Sequence, residues 1–147
     1  MQRSNRWMMV VLLIIAGLQL SACAQASATT TKNVPSKVEA IEGSDFKRVT
    51  VTEKAAQRLD IQTVPVRDME INGAQRLVVP YAVVIYGLKG ETWAYTNPEP
   101  LVFVRQPINV DYIEGDLVVL VDGPAVGTQV VTVGGAMLYG AETGVSK

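Results

Sequence analysis

Side chains that could do acid–base or metal chemistry are few in this chain, and most of them are carboxylates. The 147 residues include 14 acidic and 13 basic side chains, one cysteine and no histidine. Without an imidazole, neither a serine–histidine triad nor a cysteine–histidine pair can form, and most zinc sites lose a ligand. A single cysteine also excludes an intrachain disulfide and CxxC redox chemistry. Carboxylate-only catalysis stays open, while the net charge of −1 gives no electrostatic reason to bind nucleic acid.

The acidic residues that lie closest together bracket a pair of predicted strands. They are Asp111, Glu114, Asp116 and Asp122. Carboxylate oxygens suit hard cations, but this spacing does not match a calcium loop, and acids are also common in turns. The two methionines beyond residue 23, Met69 and Met137, are far apart in the sequence and so make a poor soft-metal site. We therefore expect no metal, no cofactor and no enzymatic activity.

The lone cysteine follows a segment with the features of an export signal. Arg3 and Arg6 precede an apolar run from Trp7 to Leu18, which is typical of the first two regions of a secretory signal. The run is shorter than the ~20 residues that span a membrane. It leads into Leu20, Ser21, Ala22 and Cys23. These four residues resemble a bacterial lipobox, which implies lipidation of Cys23 and cleavage before it. An uncleaved membrane anchor is the alternative.

Cleavage at this point predicts a lipid-anchored protein of the cell envelope, on the extracytoplasmic side of a bacterial membrane. Two or three acyl chains give a stable anchor that one chain cannot provide. Loss of residues 1–22 removes two arginines and changes the net charge to −3. We predict a signal peptide at 1–22, a flexible tether at 23–45 and one folded domain at 46–147. The small and polar residues from Ala24 to about Ser44 favour the tether, and a strand around Val38–Ile41 is the alternative.

Residues 46–147 have the pattern of a mainly β domain. Short valine-rich runs are separated by glycine and proline, which indicates many short strands. Lys47–Thr52 alternates as a strand, and Thr52 can cap a short helix after it. Asn72-Gly73 predicts a two-residue hairpin turn, because both positions of that turn need a positive φ. We expect a small antiparallel β-sandwich or barrel-like domain with one short helix.

The remaining segments are predicted from the same signals. The expected strands are Ile61–Ile71 with an interruption at Pro65, Gln75–Val79, Ala82–Tyr86, Thr92–Thr96, Leu101–Asn109, Asp116–Val121 and Gln129–Val133. Asn97–Pro100 is expected to form a turn or loop, and Ala136–Tyr139 a helical turn. The run Leu117–Val121 is continuously apolar, so we expect it to be covered on both faces.

Five short motifs, taken in order, resemble one protein family. They are Val79–Val84, Thr92–Thr96, Phe103–Val110, Asp122–Val131 and Gly134–Leu138. Together they resemble the C-terminal part of HlyD-like periplasmic adaptor (membrane fusion) proteins of RND-type efflux systems. Upstream, Val51–Val66 is similar to the strand–helix–strand that opens the membrane-proximal region of many adaptors. The resemblance implies the fold of that membrane-proximal domain, which in the family rests on an inner-membrane transporter.

The chain departs from that family between the two regions that match. A full adaptor carries a lipoyl-type domain, an α-helical hairpin and a β-barrel there, whereas only residues 69–76 connect the two regions here. We therefore expect a lipid-anchored binding or assembly protein that docks on a membrane transporter or another envelope protein. The alternative is a stand-alone structural or small-ligand-binding lipoprotein that retains only the fold.

Four residues are possible contacts for such a partner. They are Tyr81, Trp93, Tyr95 and Arg105. Protein interfaces are enriched in tyrosine, tryptophan and arginine. The alternative for the aromatic residues is ordinary cross-strand packing within a hairpin. The alternative for Arg105 is a solvated face or a local ion pair.

Overall fold

The computed structural model describes residues 35–145. Strands hold 53% and helices 16% of these residues, so the fold is mainly β, as predicted. The strands form two antiparallel sheets that are not closed into a barrel. No helix within residues 35–145 is long and apolar enough to cross a membrane. The expected signal peptide and the lipobox residues Leu20, Ser21, Ala22 and Cys23 lie outside the described residues.

Eleven strands, two α-helices and a 3₁₀ turn make up the described part of the chain. The strands are β1 Ser36–Ala40, β2 Lys47–Val51, β3 Gln62–Pro65, β4 Arg67–Ile71, β5 Ala74–Pro80, β6 Ile85–Tyr86, β7 Thr92–Glu99, β8 Val102–Pro107, β9 Asn109–Glu114, β10 Leu117–Asp122 and β11 Gln129–Val133. The helices are α1 Glu53–Arg58 and α2 Gly135–Thr143, and the 3₁₀ turn covers Tyr81–Val83. The first sheet has the order β1-β2-β8-β7-β11-β3, with β6 beside β7, and the second has the order β4-β5-β10-β9.

Two buried residues carry the chain from the first sheet to the second. Val66 lies between β3 and β4, and Ile108 lies between β8 and β9. Their side chains are 1% and 6% exposed and belong to the apolar core that also contains Val79, Val118 and Leu120. The Val66 N–H donates to the Thr128 carbonyl at 2.9 Å. Ile61–Ile71 and Leu101–Asn109, each predicted as one extended segment, are therefore each divided between the two sheets.

Helix α1 begins as the sequence predicts. The Thr52 hydroxyl accepts a hydrogen bond from the Ala55 N–H at 3.2 Å, and Glu53 lies in the first turn, where a negative charge is favourable. Ala55 is buried against the face of the first sheet that does not meet the second sheet. The predicted helix is confirmed.

The hairpin of β4 and β5 is also confirmed. Ile71 lies opposite Ala74, so only Asn72 and Gly73 form the turn. Their φ angles are 54° and 78°, the left-handed values that a type I′ turn requires.

Strand β1 corrects the prediction of a flexible tether at 23–45. Residues 36–40 pair with β2 in five consecutive register positions, centred on Val38 opposite Val49. The tether prediction is wrong for this stretch, and the alternative of a strand around Val38–Ile41 is right. The reason is that β1 gains main-chain hydrogen bonds at the edge of a sheet, although it has few apolar side chains to bury.

Three segments differ from the sequence-based expectation in extent. β7 continues through Asn97, whose side-chain amide donates to the carbonyls of Glu99 and Val102 at 2.7 and 2.8 Å. The turn therefore comes later, at Leu101, which has a φ of 63°. The first part of Ala82–Tyr86 forms the 3₁₀ turn, and the hairpin pairing is limited to β6. Helix α2 extends to Thr143 and adds a second helix to the one that was expected.

Candidate functional site

The predicted contact residues Trp93, Tyr95 and Arg105 are brought together on one face of the first sheet. Tyr95 of β7 lies directly opposite Arg105 of β8, and Trp93 is two residues before Tyr95, so these side chains share a face. Helix α2 lies over this face, where its residue Leu138 packs in the same apolar cluster as Tyr95.

The start of α2 depends on a glycine. Gly134 caps the helix with a φ of 91°, a backbone conformation that residues with a Cβ rarely adopt. A Cβ at this position would lie 2.9 Å from Ile61 Cγ1. This close approach sets where the helix leaves β11 and therefore which of its side chains face the sheet.

Arg105 and Glu142 of α2 form an ion pair that is almost completely removed from water. Arg105 Nη2 lies 3.1 Å from Glu142 Oε1, and the two side chains are 13% and 2% exposed. The Tyr95 hydroxyl donates to the other carboxylate oxygen, Oε2. Lys47 Nζ donates to the Glu142 main-chain carbonyl at 3.3 Å. Both oxygens of the carboxylate are therefore hydrogen-bonded, as a buried charge requires.

Three aromatic rings enclose the guanidinium. Arg105 Cζ lies 4.9 Å from the ring centre of Trp93, 5.2 Å from that of Tyr139 and 5.3 Å from that of Phe46. These distances are within the range of cation–π attraction. Phe46 and Trp93 also meet edge to face, with centres 5.2 Å apart and an interplanar angle of 70°. We call Arg105, Glu142, Tyr95 and these three rings the arginine cage.

The arginine cage changes the acidity of Tyr95. Burial raises the pKa of Tyr95, and the hydrogen bond to Glu142 raises it further. The tyrosine therefore stays protonated and serves as a hydrogen-bond donor. Arg105 Nε is buried and has no hydrogen-bond partner among the described residues. The arginine cage therefore joins strand β8 to helix α2 through a buried ion pair. The guanidinium only donates hydrogen bonds and cannot accept a proton.

These positions favour the alternatives that the sequence left open for the three residues. Tyr95 is fully buried, which suits cross-strand packing, and Arg105 makes a local ion pair. Tyr81 lies apart from the arginine cage in the 3₁₀ turn, with 44% of its surface exposed. Its neighbour Tyr86 is 52% exposed, and a hydrogen bond with the Tyr81 side chain raises the pKa of Tyr86.

Sequence reasoning missed Glu142, the residue that neutralises Arg105. A signal for it was present, because Glu142 follows Leu138 by four residues and Tyr139 by three, a spacing that places it on the same side of a helix as both. The predicted helical turn ended at Tyr139, one turn too early to include the acid. Phe46 gave no signal, because its place beside Arg105 depends on the long-range pairing of β2 with β8.

The clustered acids are distributed along β9, β10 and their turn. Asp111 forms an ion pair with Arg76 of β5, while Glu114 ends β9 and Asp122 ends β10. Within residues 35–145, no three histidine, cysteine, aspartate or glutamate side chains come close enough to hold a metal ion.

A shallow groove of about 110 Å³ lies where the edges of the two sheets meet. Its lining is mostly apolar and consists of Val64, Pro65, Arg67, Met69, Val78, Val79, Pro80 and Leu117. Arg67 is the one charged residue that lines it among the described residues. The size suits a few non-hydrogen atoms of a ligand and is below that of a drug-sized pocket.

No family model, curated protein or solved structure matches the chain. The resemblance to HlyD-like adaptors therefore rests on the motifs of the sequence.

Proposed function

We propose that this chain is a lipid-anchored, non-enzymatic binding and assembly protein of the bacterial cell envelope. In this proposal it resembles the membrane-proximal domain of an efflux adaptor and docks on a membrane transporter. Cys23 carries the lipid, and residues 24–34 connect the lipid to the β-domain.

The observation that carries the proposal is the two-residue turn at Asn72-Gly73. The adaptor-like motifs stand on both sides of this turn, at the point where a full adaptor has its further modules. β4 pairs with β5 along its whole length, from Arg67 opposite Val78 to Ile71 opposite Ala74, so the domain closes without an insertion. This supports a role limited to the membrane-proximal layer.

Exposed side chains near the 3₁₀ turn are the proposed contact with the transporter. Tyr81 and Tyr86 interact with each other, and Leu88 of the following turn is fully exposed. Two tyrosines and an exposed leucine two residues after Tyr86 offer apolar contact area with hydroxyl groups for hydrogen bonding. Trp93 and Arg105 serve this surface indirectly, since they hold β7 to its neighbours.

Crosslinking in intact cells tests the proposal. The full-length chain should co-purify with a transporter or another envelope protein after mild crosslinking, and Cys23→Ser should lose this partner together with the membrane. Tyr81→Ala should reduce the recovered partner several-fold. Tyr112→Ala is a matched control, because Tyr112 is 38% exposed on β9. Recovery of the chain without any envelope partner contradicts the proposal.

The groove between the sheet edges favours a second function, the binding of a small apolar ligand by a stand-alone lipoprotein. Arg67 at its rim suits an acidic group on such a ligand. A short-chain fatty acid should then raise the melting temperature of the protein in a concentration-dependent way. The same titration on Arg67→Gln should give a smaller shift. An unchanged melting temperature at saturating ligand excludes this function.

A further inference from the structure

Strand β1 forms a free edge of the first sheet. Among residues 35–145 no other strand pairs with its outer side. Its five residues are Ser36, Lys37, Val38, Glu39 and Ala40. Such an edge presents a row of main-chain donors and acceptors that can pair with another strand.

The hydrogen-bond pattern identifies which residues face outward. The Thr52 N–H donates to the Pro35 carbonyl at 3.0 Å, so residues 35 and 52 are a hydrogen-bonded pair of the β1–β2 ladder. Because such pairs alternate in an antiparallel ladder, Lys37 and Glu39 direct their main-chain groups toward β2. The N–H and C=O groups of Ser36, Val38 and Ala40 therefore point to the free side.

The neighbouring ladder supports this assignment. On the other side of β2, the Val51 N–H donates to the Leu101 carbonyl at 3.0 Å. Odd-numbered residues of β2 thus bond to β8, and even-numbered residues bond to β1. The same alternation continues through β1. The residues of β1 whose main-chain groups point to the free side are therefore Ser36, Val38 and Ala40.

The sequence of β1 is complementary to itself. When a second copy is placed antiparallel with Val38 opposite Val38, Lys37 lies opposite the partner's Glu39, and Glu39 lies opposite the partner's Lys37. In this register the outward groups of residues 36, 38 and 40 meet in three hydrogen-bonded pairs. A shift by two residues in either direction places Lys37 opposite Lys37 or Glu39 opposite Glu39, and like charges directly opposite are unfavourable. Charge therefore selects one register.

The geometry points to an antiparallel dimer in which β1 pairs with β1 of a second copy of this chain, with a twofold axis at Val38. Lys37 and Glu39 already form an ion pair within one chain, with Lys37 Nζ 2.8 Å from Glu39 Oε1. In the dimer these two residues and their copies form a network of four alternating charges on the exposed face. Val38, which is 37% exposed, meets its copy on the opposite face.

The other sheet edges carry features that hinder such pairing. β3 ends in Pro65, and β9 has two register shifts against β10. β4 carries two like charges on one face, Asp68 and Glu70, which lie opposite Leu77 and Gln75 of β5 and would repel those of a second copy. Natural edges are protected in these ways. β1 has no proline within its bounds and pairs with β2 without a register shift.

Five residues from each copy make a small interface, so the dimer is expected to be weak and to depend on concentration. The inference needs neither the lipid anchor nor the transporter of the proposed function. The two can therefore fail separately.

A disulfide trap tests the position of the twofold axis. Hydrogen-bonded residues in an antiparallel pair have Cα atoms about 5.5 Å apart, which a disulfide can bridge. In the full-length chain with Cys23→Ser, where no other cysteine is present, Val38→Cys should give a disulfide-linked dimer under mild oxidation. Ser36→Cys is the control, because residue 36 and its copy should be more than about 12 Å apart. Equal crosslinking of both variants, or of Ser36→Cys alone, overturns the inference.

Charge reversal tests the register independently. Lys37→Glu alone and Glu39→Lys alone each place like charges opposite one another, so the association constant of each should fall about tenfold or more. The two single variants, when mixed, should form a heterodimer, because every cross-strand charge pair is then attractive. The double variant should recover the homodimer. These outcomes are read by native mass spectrometry and sedimentation of the full-length chain. Unchanged association of the single variants, or no heterodimer on mixing, overturns the inference.

Discussion

Replacing Glu142 with glutamine should destabilise the domain far more than replacing an exposed acid. Glutamine has nearly the same shape and can still accept the hydrogen bond from Tyr95. It removes the negative charge that lies 3.1 Å from Arg105 Nη2. The guanidinium then remains in a nearly dry site with three aromatic rings and no counter-charge.

The size of the effect follows from the burial of the pair. Removing one partner of a buried ion pair typically costs about 3–5 kcal/mol, because the other charge stays buried and uncompensated. Arg105 keeps 13% of its side chain exposed and retains its aromatic neighbours, so we expect the lower end, about 3 kcal/mol. Domains of this size have a total stability of about 5–15 kcal/mol, and the melting temperature should fall by roughly 10–20 °C.

Urea unfolding at pH 7 measures this loss, and Glu99→Gln is the matched control. Glu99 pairs with Arg48 at 3.4 Å, but its side chain is 61% exposed and that of Arg48 is 42% exposed. Its replacement should cost less than about 1 kcal/mol, and the cost should shrink at high salt. The cost of Glu142→Gln should change little with salt, because the pair is almost completely removed from water.

A double-mutant cycle separates the ion pair from its surroundings. Arg105→Met should also destabilise the domain. The double variant should be more stable than the sum of the single costs predicts, by at least about 1 kcal/mol, because it leaves no unpaired charge. A cost for Glu142→Gln equal to that of Glu99→Gln, or a coupling energy near zero, refutes the reasoning.

Four further measurements follow from the structure. Thr52→Ala removes the acceptor for the Ala55 N–H and should cost about 1 kcal/mol in urea unfolding, whereas Thr52→Ser should cost little. Gly73→Val places a β-branched residue at a φ of 78° and should cost at least about 1–2 kcal/mol; an unchanged midpoint would show that the turn is not type I′. Tyr95 has a raised pKa in the folded state, so the unfolded chain loses this proton first, and stability should fall above pH ~10 by up to about 1.4 kcal/mol per pH unit. Tyr95→Phe should lack that alkaline component, and identical pH profiles would contradict the assignment. Cys23→Ser should abolish labelling by radioactive palmitate and release the protein from membranes, and an unlabelled wild type would exclude the lipoprotein interpretation.

Local signals in the sequence predicted the elements whose stability is local. The Asn72-Gly73 turn and the Thr52 cap each depend on a few adjacent residues, and both were predicted correctly. β1 was predicted only as the alternative to a tether, because its stability comes from main-chain pairing with β2 and not from an apolar pattern of its own. The change of sheet at Val66 and Ile108 was not predicted. Pro65 indicated an interruption of Ile61–Ile71, but no local signal shows that an extended segment passes from one sheet to another.

The arginine cage was predictable only in part for the same reason. Trp93, Tyr95 and Arg105 were predicted as contact residues from their residue types. The pairing of β7 with β8 places them on one face of the sheet. The ion pair and the aromatic contacts of Arg105 also need Glu142 and Phe46, which are 37 and 59 residues from Arg105 in the sequence. No local pattern connects positions so far apart.

That distance has a consequence for how the domain folds. The arginine cage unites residues from the first strand pair, the middle of the chain and the last helix, so the cation on β8 has no counter-ion until α2 has been synthesised and docked. Contacts of such high sequence separation slow folding and leave sheet edges uncovered for longer. A nascent or truncated chain that ends before α2 therefore has an unpaired Arg105 and leaves the apolar face that Leu138 covers exposed to water. It should be a preferred substrate for chaperones and proteases.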